Sequence, residues 1–203
     1  MEDLIEGYRR FRAESWPRER ARFEELSARG QQPRTMVIAC SDSRVDPQMI
    51  FGAGPGELFV VRNVANLVPP YTPDGNYHGT SAALEFGVRV LQVRDLIVLG
   101  HAQCGGVRAL LEGAPVEAQD FVVPWMNIAR AARERVLECT PVEARQEAAE
   151  HEAVRISLAN LLTFPWVRAA VEAGTLHLHG GHFAVRTGVL ALLGADGVFA
   201  PAG

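Results

Sequence analysis

Apolar residues occur along the chain in short unbroken runs that have the length of buried β-strands. Three runs rich in β-branched residues predict strands at Thr35–Cys40, 57–62 and Asp95–His101. A later run predicts the last strand of the chain at 176–180. The three earlier runs are apolar throughout and do not alternate with polar residues, which is typical of parallel strands covered on both faces.

Helical periodicity separates these runs. Leu4, Tyr8 and Phe11 recur at helical spacing, which predicts an amphipathic helical arm over residues 1–30, interrupted at Pro17 and ended by Gly30. Further helices are predicted from Thr80 or Ser81 to about Leu91, just after Gly106, through about 121–163, and between Pro165 and Gly174. The alternation predicts an α/β fold, with a mostly parallel central β-sheet flanked by helices. We expect residues 1–203 to form one domain that includes the arm.

Composition narrows the class of protein. The 203 residues are 48% hydrophobic and 22% charged, as in an ordinary globular domain. All 20 basic residues are arginine, which excludes Schiff-base catalysis, pyridoxal phosphate attachment and the lysine of a phosphate-binding P-loop. A net charge of −4 offers no attraction to nucleic acid. Because neither a membrane-spanning run nor a signal peptide is evident, we expect a cytoplasmic protein without a membrane partner.

Three potential metal ligands follow two of the predicted strands. Cys40 closes the first strand, while His101 and Cys104 lie at and just after the end of the third. The carboxyl ends of parallel strands meet at one edge of a sheet, so these side chains are expected to converge. Two thiolates and one imidazole are typical ligands of Zn²⁺, and they leave one tetrahedral position open for catalysis. The alternatives are ordinary buried side chains, or a structural zinc site in which Asp42 is the fourth ligand.

Asp42 and Arg44 are candidate catalytic residues because of the charge of such a site. Zinc with two thiolates and a neutral imidazole has no net charge, so it acidifies a bound water less than a three-histidine site does. The Asp42 carboxylate could accept a hydrogen bond from the zinc-bound water or hydroxide, and the Arg44 guanidinium could hold that carboxylate off the metal. If the pair opened, Asp42 could reach the zinc and close the site.

Three motifs, in this order and spacing, carry a family resemblance that covers nearly the whole chain. They are Cys40-Ser-Asp-Ser-Arg44, Pro55-Gly-Glu-Leu-Phe-Val-Val-Arg-Asn-Val-Ala-Asn66 and Gly100-His-Ala-Gln-Cys-Gly-Gly106. Together they resemble the β-class carbonic anhydrases. The resemblance implies that Cys40, His101 and Cys104 bind Zn²⁺, that Asp42 and Arg44 keep the fourth position free, and that the backbone amide of Gly105 steadies bicarbonate.

The resemblance also implies the reaction and the assembly. Members of the family are lyases in which a zinc-bound hydroxide hydrates carbon dioxide reversibly to bicarbonate and a proton. They form a homodimer, often paired into a homotetramer, with the N-terminal arm lying over the partner. Packing of Leu4, Tyr8 and Phe11 on their own core is the alternative for the arm.

Two other functions are compatible with these residues. A hydrolase of carbon disulfide or carbonyl sulfide could use the same scaffold, and a non-catalytic zinc-binding module would hold Asp42 permanently on the metal.

One subset of the family has a non-catalytic bicarbonate site of tryptophan, arginine and tyrosine; Arg62 matches its arginine, whereas Val37 and Phe183 depart from the other two positions. A second metal site at His177, His179 and His182 is less favoured than packing or exposure of these side chains.

Overall fold

The computed structural model describes residues 1–203, which form a six-stranded sheet covered by helices. The strand order is β2-β1-β3-β4-β5-β6. The strands span Thr35–Cys40 (β1), Leu58–Asn63 (β2), Asp95–His101 (β3), His177–Ala184 (β4), Val189–Leu193 (β5) and Phe199–Pro201 (β6). The pairs β2–β1, β1–β3 and β3–β4 are parallel. Strand β5 pairs antiparallel with β4, and β6 pairs antiparallel with β5. The predicted α/β class with a mostly parallel sheet is confirmed.

Nine α-helices connect and cover the strands. They span Glu2–Arg10 (α1), Trp16–Arg29 (α2), Pro47–Phe51 (α3), Gly79–Glu85 (α4), Gly105–Glu112 (α5), Val122–Met126 (α6), Arg130–Cys139 (α7), Arg145–Leu161 (α8) and Pro165–Glu172 (α9). Segments with π-type hydrogen bonding, Phe11–Ser15 and Phe86–Val90, join α1 to α2 and extend α4. None of these helices combines the length and the apolar character needed to cross a bilayer.

Three sequence-based boundaries differ from the structure. The strand predicted at 176–180 is not the last one, because β5 and β6 follow it as an antiparallel extension. The helical pattern over 121–163 is divided into α6, α7 and α8 by short 3₁₀ turns. Thr80 and Ser81 do not cap α4, which begins at Gly79 with His78 before it. Strand β5 was missed although Val189–Leu193 is an unbroken apolar run, and β6, at the edge of the sheet, is only three residues long.

The sheet owes its stability to two central strands whose side chains are buried on both faces. Five consecutive residues of β1, Met36–Cys40, are buried, and so are the last six of β3. Such strands have no solvent-facing side, which explains why their sequences show no alternation. Helix α8 packs across β3 and β4, and its Val154 lies within the core. The rigid centre of the molecule therefore ends at the carboxyl edge of β1 and β3.

The N-terminal arm does not contribute to this core. No residue of α1 or α2 is fully buried. Leu4 is 72% exposed and Tyr8 is 58% exposed, so the packing of these two on their own core is not observed. Phe11 instead packs edge-on against Trp16 and Phe23 within the arm. The arm thus leaves an apolar stripe at its N-terminal end in contact with solvent.

Candidate metal centre

Cys40, His101 and Cys104 converge at the carboxyl edge of the sheet. Strands β1 and β3 are parallel neighbours, so Cys40 and His101 end them side by side. Cys104 follows β3 by a short turn and lies immediately before α5. The two sulfurs are 3.9 Å apart. One potential ligand atom from each of the three residues lies within 4.8 Å of the other two, and all three residues are buried.

The chemistry of His101 fits a metal ligand. Its Nδ1 lies 2.9 Å from the carbonyl oxygen of Ala102, which can only accept a hydrogen bond, so Nδ1 carries the proton. The other ring nitrogen, Nε2, is buried and has no hydrogen-bond partner. An unpaired buried acceptor is costly, whereas a metal ion would use this lone pair and the carbonyl would hold the ring in place. The residues present therefore fit a Zn²⁺ ion.

The hydrogen bond between the two thiols moves their pKa values in opposite directions. A hydrogen bond from Cys104 lowers the pKa of Cys40 to about 4, although burial opposes this shift. The same contact, together with burial, raises the pKa of Cys104. Backbone amides of Asp42 and Ala65 also favour the Cys40 thiolate, and those of Gly106 and Val107 favour a thiolate at Cys104. A cation that replaced the proton of this hydrogen bond would find amide donors already directed at both sulfurs.

Asp42 is bound by Arg44 through both of its carboxylate oxygens. The Arg44 side chain donates from Nε to Oδ1 at 2.9 Å and from Nη2 to Oδ2 at 2.6 Å. The backbone amide of Arg44 also donates to Oδ1 at 2.9 Å. These bonds hold the pKa of Asp42 well below its usual range. Arg44 Nη2 additionally reaches the carbonyl of Gln103 at 3.1 Å, so this pair ties the loop after β1 to the loop after β3.

Arg62 supports the same loop from β2. Its Nε donates to the Cys40 carbonyl at 2.9 Å, and its Nη2 donates to the Asp42 carbonyl at 2.6 Å. Nη1 completes an ion pair with Asp46 at 3.2 Å. All three nitrogens are therefore engaged within the protein, and Arg62 stabilises the loop that carries Cys40 and Asp42. Gly105 begins α5, at a position where backbone amides have no partner within the helix.

The three histidines near the chain end do not form a second metal site. The Cys40, His101 and Cys104 group is the one cluster of metal-binding side chains in the structure. His179 pairs with Asp95 at the start of β3, far along the strand from His101. His182 is buried and bound to Glu150.

Sequence reasoning missed two residues that contact the metal loop, Gln146 and Glu150. Both bond the main chain of Cys104. A signal existed in the sequence of α8, because Glu150 is a charged residue within a stripe of small and apolar side chains, Ala149, Ala153, Val154, Ser157 and Leu161. A carboxylate on a buried stripe needs partners, and its presence indicates polar groups on the facing segment.

Comparison with known proteins agrees with this geometry. The family model described as "Carbonic anhydrase" matches residues 35–190. A carbonic anhydrase of Pseudomonas aeruginosa is 40% identical over 190 residues, which cover 93% of this chain and 85% of that protein. The structure of the β-carbonic anhydrase CcaA covers all of this chain and 92% of its own, with 35% identity and a TM-score of 0.93.

A second solved structure extends the comparison. A tetrameric β-carbonic anhydrase of the fungus Sordaria macrospora is 26% identical, with 96% of each chain covered and a TM-score of 0.83. The residues matched by the family model include the Cys40, His101 and Cys104 cluster. The chain therefore belongs to the β-class carbonic anhydrases, the enzymes that interconvert carbon dioxide and bicarbonate.

Proposed function

We propose that this protein hydrates carbon dioxide reversibly at a Zn²⁺ ion held by Cys40, His101 and Cys104. The observation that carries the proposal is the unpartnered, buried Nε2 of His101 beside two thiols, one of which is already disposed to ionise. Zinc bound there would supply hydroxide, because coordination lowers the pKa of water far below its bulk value of about 16, although less at a site with two thiolates than at a three-histidine site. The remaining steps belong to side chains and backbone groups of the protein.

Asp42 orients the attacking hydroxyl. Its Oδ1 already accepts two hydrogen bonds, whereas Oδ2 accepts one from Arg44 and retains a lone pair. We assign to Oδ2 the acceptance of the hydroxyl proton in a hydrogen bond, which turns a free lone pair of the nucleophile toward carbon dioxide. Arg44 acts by keeping the carboxylate in this position and ionised, so that Asp42 does not become a fourth metal ligand.

Gly105 is assigned to the product. Its amide lies in the first turn of α5, where the helix dipole and the free amides favour an anion. A bicarbonate oxygen formed beside Cys104 would accept a hydrogen bond from this amide.

We also propose that residues 1–203 act as one domain in a homodimer or a homotetramer. The exposed stripe of α1, with Leu4 and Tyr8, supports the assignment of residues 1–30 as an arm that lies over a second copy. The tetrameric relative from Sordaria macrospora supports the larger assembly.

The proposal is tested by stopped-flow carbon dioxide hydration measured together with zinc content. We expect about one zinc per chain, loss of hydration when a chelator removes it, and recovery on adding zinc. Cys40→Ser is expected to lose both zinc and activity, whereas Cys139→Ser, which changes an exposed cysteine, keeps both. Absence of zinc from folded protein, or hydration that survives its removal, would contradict the proposal. Carbonyl sulfide and carbon disulfide, tested in parallel, are expected to turn over far more slowly.

A further inference from the structure

Two side chains of α8 bind the main chain of Cys104 from behind. Glu150 Oε1 accepts the backbone amide of Cys104 at 3.0 Å, and Gln146 Nε2 donates to the Cys104 carbonyl at 3.1 Å. Gln146 Nε2 also donates to Glu150 Oε1 at 2.6 Å. The two residues are four apart, so they lie on one face of the helix. Both polar groups of the Cys104 peptide backbone are thus bonded to α8.

Glu150 is held in turn by His182 of β4. Its Oε2 lies 3.1 Å from His182 Nε2, and both side chains are buried, at 2% and 5% exposure. The ring of His182 packs edge-on against that of His151, with the centroids 4.6 Å apart. His182 is also the register partner of Gly100, the residue before His101. A carboxylate buried this deeply persists only where its lone pairs are satisfied, so its position is closely determined.

These contacts converge on the residue at which the loop after β3 passes into α5. Cys104 precedes α5 with extended backbone angles, φ −68° and ψ 119°, so its amide takes no part in the helix. No side chain caps the start of α5. The Cys104 carbonyl accepts the Arg108 amide of α5 at 3.0 Å, but the Cys104 amide is bonded only by Glu150, so α8 contributes directly to the orientation of this peptide and of the side chain that it carries.

We infer that Glu150, supported by His182 and Gln146, is a positioning residue that sets the orientation of Cys104 as a metal ligand. The inference rests on the proposed metal site. It assigns to α8 a direct part in metal affinity, in addition to its packing on β3 and β4. Outer contacts of this kind commonly change metal affinity by about 10- to 100-fold when they are removed.

The test compares substitutions of Glu150 with a matched change on the same helix. Glu150→Leu removes the acceptor, whereas Glu150→Gln keeps an oxygen for the Cys104 amide. Glu152→Gln is the control, because Glu152 is also an ion-paired carboxylate of α8 but bonds Arg135 and Arg155. Zinc affinity is measured by chelator competition, and the cobalt-substituted proteins are compared by the absorption bands of cobalt bound to thiolate.

We expect Glu150→Leu to weaken zinc binding about 10- to 100-fold and to shift the cobalt bands. Glu150→Gln should recover most of both, and Glu152→Gln should match the wild type. A purely structural role of Glu150 would lower the unfolding stability of Glu150→Leu without moving the cobalt bands. Wild-type affinity and bands in Glu150→Leu, or equal losses in Glu150→Leu and Glu150→Gln, would overturn the inference.

A milder substitution keeps the test decisive if Glu150→Leu does not fold. Gln146→Met, at a half-buried position, removes the bonds that Gln146 Nε2 donates to the Cys104 carbonyl and to Glu150 Oε1 but leaves the Cys104 amide bonded to Glu150, and we expect a smaller change in the same direction. No change in affinity and bands in Gln146→Met would then overturn the inference. Failure of the wild-type protein to bind zinc or cobalt would instead refute the metal site itself, so the two failures are distinguishable.

Discussion

Backbone strain is concentrated in the two loops that surround the metal-binding cluster. Ala65 and Gln103 adopt left-handed backbone angles, with φ of 63° and 59°. A residue other than glycine in this region costs about 1–2 kcal/mol, so its neighbours must compensate. At Gln103 the compensation is visible, because its carbonyl accepts the bond from Arg44. At Ala65 the backbone amide stabilises the Cys40 thiolate. The strain therefore accompanies contacts that shape the site.

Replacement of Asp42 by Asn separates orientation of the nucleophile from metal binding. The Asn amide group would present a donor where Arg44 or the hydroxyl needs an acceptor. We expect Asp42→Asn to retain zinc and to lose at least about 100-fold in kcat/KM for hydration, the usual size for a positioned proton acceptor. Elemental analysis and stopped-flow rates check the two halves of this prediction.

Asp95→Asn is the matched control for Asp42→Asn. Asp95 is bound by His179 at the opposite end of β3 from His101, so we expect its replacement to leave the hydration rate within about two-fold of the wild type. A near-normal rate in Asp42→Asn would remove Asp42 from the mechanism.

The start of α5 packs tightly against the segment that follows β2. A Cβ atom on Gly106 would lie 2.7 Å from Val64 Cγ1 and 3.0 Å from Ala65 Cβ, whereas one on Gly105 would meet nothing within 4 Å. We expect Gly106→Ala to lower the free energy of unfolding by about 1–3 kcal/mol, because the helix must move away. Gly105→Ala should change it by less than about 1 kcal/mol. Urea denaturation of the zinc-loaded proteins measures both, and equal stabilities would contradict this account of the packing.

The contact between α8 and β6 makes stability depend on pH. His151 stacks on Phe199, with centroids 4.1 Å apart. Burial, and then the nearby charges of His182 and Arg155, lower the pKa of His151 to about 4, while Glu150 opposes this. The unfolded chain, with a pKa near 6.5, takes up the proton first, so folding stability from this group is lost as the pH falls from about 6.5 to about 4.

His151→Phe tests that dependence. The wild-type protein should lose about 2 kcal/mol of stability from this group between pH 7 and pH 5. His151→Phe keeps the aromatic contact with Phe199 and removes the titration, so its loss over the same interval should be smaller by that amount. Urea denaturation at the two pH values gives the comparison. Parallel curves for the two proteins would show that His151 does not carry the effect.

The molecule as a whole presents an apolar arm that its own core does not use. Leu4 and Tyr8 are exposed along α1, and a second copy would remove them from water. We expect Leu4→Glu combined with Tyr8→Glu to raise the dissociation constant of the assembly at least 100-fold, since each buried apolar side chain contributes about 1.5–3 kcal/mol. Sedimentation velocity measures the change.

Arg10→Glu provides the control for the arm. At 100° per residue Arg10 lies on the face of α1 opposite to Leu4 and Tyr8, so its replacement should leave the assembly intact. An unchanged sedimentation coefficient in the Leu4 and Tyr8 variant would exclude the arm from the interface. A wild-type protein that sediments as a monomer would refute the proposed assembly as well.

Much of the architecture followed from local patterns. The bounds of β1 and β3 agree with the sequence prediction residue for residue, because both strands are buried on each face and so have unbroken apolar sequences. The bounds of β5 and β6 were not predicted. Val189–Leu193 is an unbroken apolar run, but a run this short does not by itself distinguish a strand from a buried helix segment, and its antiparallel pairing with β4 decides the matter. Strand β6 has three residues and pairs only with β5, at the edge of the sheet.

The sequence alone was sufficient to predict that Cys40, His101 and Cys104 lie close together, because ligands that end parallel neighbouring strands must share one edge of the sheet. Only the tertiary structure identifies Glu150, which bonds the Cys104 amide, and His182, which bonds Glu150, as contacts of this cluster. Glu150 is separated from Cys104 by 46 positions and from His182 by 32. Helical periodicity indicates which face of α8 is buried, but only the packing of that helix against β3 and β4 determines which loop its carboxylate meets.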